Sequence, residues 1–129
     1  MQMSDLVERP VGGHLSAAIT EFVTTVFARY TGRGPRGART IIDEDVVTVV
    51  LRESLTSGEQ ALTAAGRSGA VERLRHEFQE AMADELKQGI ERLTGRTVVA
   101  FLSANHLDPD VAVETFVLDG GRSKPSRQL

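Results

Sequence analysis

Two stretches of this chain, residues 30–51 (YTGRGPRGARTIIDEDVVTVVL) and 93–118 (LTGRTVVAFLSANHLDPDVAVETFVL), pass through the same local signals in the same order. In each, an amphipathic helix ends in Thr-Gly-Arg, an apolar strand follows, an Asp-x-Asp-Val turn reverses the chain and a second apolar strand returns. A true internal αββ repeat and a convergence of helix-stop and turn chemistry both account for this. Under either, the unit is helix, strand, strand, and it occurs twice.

Around this frame the periodicity supplies the remaining elements. Leu15, Ala18, Ile19, Phe22, Val23, Val26, Phe27 and Tyr30 recur at helical spacing and predict a helix over 14–30, stopped by Gly32, Gly34 and Pro35. β-branched residues on both sides of Asp43, Glu44 and Asp45 predict a hairpin of 38–42 with 46–54. Thr56 and Glu59 have capping-box spacing for a short helix to about residue 65, which Gly66 ends. Ser68 is placed to cap the longest helix, over 69–93, with Val71, Leu74, Phe78, Met82, Leu86, Ile90 and Leu93 on its buried face. A second hairpin of 97–103 with 111–118 closes the domain.

The fold class is therefore α+β: a single domain in the order αββααββ, with a four-stranded, mainly antiparallel sheet packed with helices. Residues 1–13 are expected as a flexible arm, 14–119 as the domain and 120–129 as a disordered tail, GGRSKPSRQL being without apolar content. A length of 129 residues suits one core. In both hairpins apolar residues point to both faces: Val47, Val49 and Leu51 against Val46 and Val50, then Val98, Ala100 and Leu102 against Val99 and Phe101. Either the helices divide between the faces or a second subunit covers one, and a homodimer is the expected answer.

Composition narrows the function classes. The chain has no cysteine, which removes disulfides, thiolate metal sites and thiol nucleophiles, and fits a cytoplasmic location. His14, His76 and His106 are too scattered for a ligand pair, so no metal and no cofactor is expected. A net charge of -3 opposes a surface built wholly for phosphate backbones. No run approaches the ~18 apolar residues of a membrane span, so membrane insertion is not expected.

Two local features bear on binding. The loop holding Gly32, Arg33, Gly34, Pro35, Arg36 and Gly37, followed by Arg39, is glycine-rich and basic and suits an anion or an acidic partner. Its order, helix into strand, is the reverse of a phosphate loop, and helix-stop chemistry explains its glycines. The turn Gly66, Arg67, Ser68, Gly69 is a GxxG between two helices; with the element order it resembles a type II KH nucleic-acid-binding domain, where that loop clamps single-stranded backbone. Glu72, Glu77 and Glu80 nearby oppose it. Turn chemistry explains the polar residues around His106, Asp43, Asp45, Asp108 and Asp110, and no serine has a nucleophile-elbow context, so no enzyme is expected.

Taken as a set, Gly32-x-Gly34-Pro35, Leu55-Thr56-x-x-Glu59-x-x-Leu62, Val71-x-x-x-Arg75, Ile90-Glu91-x-x-Thr94-Gly95-x-x-Val98 and Phe116-Val117-Leu118 resemble the MpsC family of small bacterial proteins, over about residues 15–118. That family is named for a membrane-potential-generating, cation-translocating system whose other components are membrane proteins linked to inorganic carbon uptake. The resemblance implies an accessory, non-enzymatic protein, associated through a membrane transport partner with a cation or bicarbonate system. Among the matched positions, Gly32, Gly34, Pro35, Thr56, Glu59, Thr94 and Gly95 are explained as helix stops and caps. Arg75 is the exception, a helical arginine expected either to pair with the Glu59 region or to face a ligand. With Arg33, Arg36 and Arg39 it completes the candidate anion- or partner-binding residues; the nucleic-acid alternative rests on Gly66, Arg67, Ser68 and Gly69.

Overall fold

The structure, a computed structural model, describes residues 11–120; the expected tail and most of the expected arm lie outside the described residues. Seven elements follow one another: α1 (Gly12–Thr31), β1 (Gly37–Asp43), β2 (Val46–Arg52), α2 (Ser57–Ala64), α3 (Ser68–Thr94), β3 (Val98–His106) and β4 (Val111–Leu118). The four strands form one sheet in the order β1-β2-β4-β3, every neighbouring pair antiparallel. The fold is α+β, in the order read from the sequence.

The two αββ units meet at the central β2/β4 pair, so each hairpin fills one half of the sheet. Their Thr-Gly-Arg motifs do the same work in both halves. Thr31 Oγ1 donates to Phe27 O and accepts from Arg33 N; Thr94 Oγ1 donates to Ile90 O and accepts from Arg96 N. Gly32 and Gly95 then take left-handed backbone with φ of 85° and 73°, which costs a glycine nothing and ends each helix. Both arginines go on to bond main-chain carbonyls at strand ends, Arg33 to Leu55 and Arg96 to Glu44 and Asp119.

One face of the sheet is the core. Val47, Val49 and Leu51 of β2 and Ala112, Phe116 and Leu118 of β4 point into it and meet Ile19, Val23, Val26 and Phe27 of α1 and Met82, Leu86 and Ile90 of α3. Phe101 stacks on Phe116 with ring centroids 4.8 Å apart. The two long helices cross where Gly89 faces the Phe22 ring, and a Cβ built on Gly89 would meet Phe22 Cζ at 1.9 Å. Only the absence of a side chain there allows the approach.

The capping box is present: Thr56 Oγ1 accepts from Glu59 N, and Glu59 Oε1 accepts from Thr56 N at 2.8 Å. Three local expectations change. The cap of α3 is Arg67, without a side-chain bond, so Ser68 opens the helix and does not cap it. Leu74 is exposed, whereas Arg75 and Gln79 are buried between Val71 and Met82, because both reach polar partners inside the domain. The third strand runs to His106, since its ladder with β4 continues as far as His106 opposite Val111; Asn105 and His106 belong to a strand and only residues 107–110 turn.

Candidate functional site

The helices pack on one face only, and among the described residues no helix covers the other. Alternation along each strand places Arg39 and Ile41 of β1, Val46, Thr48 and Val50 of β2, Val113, Thr115 and Val117 of β4, and Leu102 and Ala104 of β3 on that open side. Cross-strand neighbours form rows: Ile41, Thr48, Thr115 and Leu102 make one, with Thr48 and Thr115 hydroxyls bonded at 3.1 Å. Arg39, Val50, Val113 and Ala104 make the next. Ile41 is 44% and Leu102 57% exposed. A solvated face of an antiparallel sheet ordinarily alternates to polar residues. This one sets Ile41, Val46, Val50, Val113, Val117 and Leu102 around the Thr48–Thr115 pair, with Arg39, Asp43, Arg52 and His106 at its margins.

Beneath the core face lies a buried polar network that the sequence pattern had not singled out, apart from Arg75. Arg75 Nη1 lies 3.3 Å from Glu59 Oε1, and its Nη2 donates to Ser54 Oγ at 2.6 Å; all three residues are buried. Burying a guanidinium demands such a partner. One helical turn on, Gln79 donates to Glu114 Oε2 at 2.8 Å and exchanges two bonds with Asn105, while Ser103 donates to Glu114 Oε1. Burial pushes the Glu114 carboxyl up to about 7, against the pull of the Ser103 and Gln79 hydrogen bonds and the Arg75 charge. Two signals in the sequence could have found this network. Glu114 falls on the same alternation as Ala112, Phe116 and Leu118, and Arg75 and Gln79 fall within the apolar stripe of α3.

Ser103 also lines a cleft of about 460 Å³ between α3 and β3, with His76, Gln79, Glu80, Ala83 and Lys87 on the helix side and Phe101 on the strand. A second cleft of about 380 Å³ lies between α2 and the β3–β4 turn and includes Glu53, Asp108 and Asp110. Asp110 uses its carboxylate on Leu55 N at 3.0 Å and its carbonyl on Glu53 N, and so holds the chain leaving β2. Among the described residues no group of three or more His, Cys, Asp or Glu side chains is arranged to hold a metal ion.

The arginines singled out from the sequence are dispersed. Arg75 is inside, paired with Glu59, and Arg33 is half-buried against Leu55 O. Arg36 is exposed beside Glu53 at 3.8 Å, and Arg39 is exposed at the edge of the open sheet face. They do not form one cluster. The turn of Gly66, Arg67, Ser68 and Gly69 is exposed, with Gly66 at φ 80° as a helix stop requires. Around it on α3, Glu72, Glu77 and Glu80 are exposed as well.

Fold and surface together define a small α+β protein with one largely apolar sheet face left open by its helices and, on the helix-covered side, a polar network built on the buried Arg75, Gln79 and Glu114. Residues 12–120 match the family model described as "Na+-translocating membrane potential-generating system (MpsC)", and the chain belongs to that family. No curated protein and no solved structure matches it. Among the described residues no helix is long and apolar enough to cross a membrane.

Proposed function

We propose that this chain is a non-enzymatic accessory protein of a Na+-translocating, membrane-potential-generating system, held on the cytoplasmic side by contact with a membrane component of that system. The observation that carries the reading is the open sheet face, where Val46, Val50, Val113 and Val117 leave hydrocarbon in water on a domain whose helices are all committed to the other side. Family membership supplies the system. Partner contact through such a surface draws its stability from apolar burial, and Arg39 at its margin adds a positive charge that orients the partner. A homodimer formed away from this face leaves it free for that contact.

The test is affinity capture of the tagged protein from detergent-solubilised, nuclease-treated membranes of its own cells. Integral membrane subunits of a Na+-translocating system are expected with the wild type. They are expected to be lost with Val113→Lys, whose side chain lies on the open face and leaves the helix-covered core untouched. Capture of RNA alone, abolished by Arg67→Glu, would replace this reading with the nucleic-acid one.

A further inference from the structure

We infer that two copies of this chain join edge to edge through β3, making one continuous eight-stranded sheet, with the α3 helices side by side across the two-fold axis. This goes beyond the accessory reading and does not depend on it.

The sheet has two edges, β1 and β3, and they differ in protection. Exposed edge strands are ordinarily guarded by charge, proline or shortness. β1 carries Arg39 and Asp43. β3 is the longest strand, nine residues reading VVAFLSANH, with no Lys, Arg, Asp, Glu, Pro or Gly. It also carries Val99 and Leu102, 61% and 57% exposed. Its one irregularity lies between Val98 and Ala100, so residues 100–106 form a regular run with Ser103 at its centre. An antiparallel partner related by a two-fold axis at Ser103 sets Leu102 opposite the partner copy's Ala104 and Phe101 opposite its Asn105, and no like charges meet.

The helix above the edge has the matching complementarity. Gln79 bonds Asn105, and Glu91 Oε2 accepts from Val98 N at 2.9 Å, so the level of Ser103 falls on α3 near Met82 and Ala83. His76, Glu80, Ala83 and Lys87 form the helix wall of the cleft beside β3, a stripe that faces the unpaired edge. The axis therefore passes close to Ala83, whose small side chain permits close approach, with Glu80 on one side and Lys87 on the other. Reversal about that level brings Glu80 of each copy within about 3 Å, measured along the helix axis, of Lys87 on the other, at 1.5 Å per residue. Each interface thus holds the pair twice.

A charge swap tests this in the full chain by sedimentation equilibrium over micromolar concentrations. The wild type is expected to dimerise. Lys87→Glu and Glu80→Lys are each expected to raise the dimer Kd by roughly tenfold or more, and the double variant Glu80→Lys/Lys87→Glu to restore it. Both positions lie on the surface, and unchanged far-UV circular dichroism separates loss of association from loss of fold. Ile41→Lys, on the open face at the opposite edge, is expected to leave the dimer intact. A monomeric wild type, a dimer indifferent to the single swaps, a double variant that fails to recover, or a dimer broken by Ile41→Lys would each overturn the proposal. Its failure leaves membrane capture untouched, so the two readings fall separately.

Discussion

Replacing Glu114 by Gln should change how stability depends on pH more than any other single substitution in this chain. The folded carboxyl is pushed up to about 7 from 4.5, chiefly by burial. Between those values the folded protein keeps a proton that the unfolded chain has released, so stability falls as pH rises through the interval and levels off above it. Glu114 therefore favours the fold most below pH 4.5, and that contribution is gone by about pH 7 to 8. At 1.36 kcal/mol per unit the loss comes to about 3 kcal/mol. A glutamine keeps the shape, accepts from Gln79 and donates to Ser103, and cannot ionise.

The assay is urea unfolding of both proteins at pH 5, 6, 7 and 8, followed by far-UV circular dichroism because the chain has one tyrosine and no tryptophan. Taking the difference between the two proteins cancels every other titrating group, including the three histidines. Glu85, held below the usual carboxylate range by the Arg29 hydrogen bond, acts in the opposite sense and only at pH below 4.5. The variant should be the more stable protein at pH 8, and its advantage should grow by about 2.5 kcal/mol from pH 5 to pH 8, roughly 1–2 M in urea midpoint. A gap that stays constant, or that widens towards acid, would refute the assignment of a buried, proton-holding Glu114.

Three further outcomes follow from the packing and the surface. Gly89→Ala should lower stability by about 1–2 kcal/mol, the overpacking against Phe22 exceeding the ~1 kcal/mol gain in helix propensity, and Phe22→Leu should rescue it in the same unfolding assay. Arg75→Met should cost about 3–5 kcal/mol by stranding the buried Glu59 carboxylate, and the added change Glu59→Gln should recover most of the loss. In titrations against single-stranded RNA at low and high salt, wild type and Arg67→Glu should be alike in showing no salt-dependent binding; weakening by Arg67→Glu would make the turn at residues 66–69 a binding surface.

The element order was legible because each boundary is local chemistry. Gly32, Gly95 and the Thr56–Glu59 box act within a few residues of themselves, and the helices ended or began where those residues stand. The end of β3 was not legible, since Asn105 reads as a turn former and is kept in a strand by Gln79, 26 residues away in sequence. Leu74 left its expected place for a similar reason, whereas Arg75 took one of the two places expected of it, paired with Glu59. A helical stripe ranks leucine as interior and arginine as exterior, and only the Glu59 and Ser54 partners, from a different segment, reverse that order. The open sheet face was half legible: valines on both sides of β2 signalled a second apolar surface, but only the placement of the helices shows which side stays uncovered.

The claim that this chain serves a Na+-translocating system through its open sheet face is tested most directly in cells lacking it, by measuring the Na+-dependent part of the membrane potential with a potential-sensitive dye. Wild type and Glu114→Gln should restore that component, whereas Val113→Lys, present at equal level and folded, should not. Full restoration by Val113→Lys, or an unchanged potential when the chain is absent, would contradict the account.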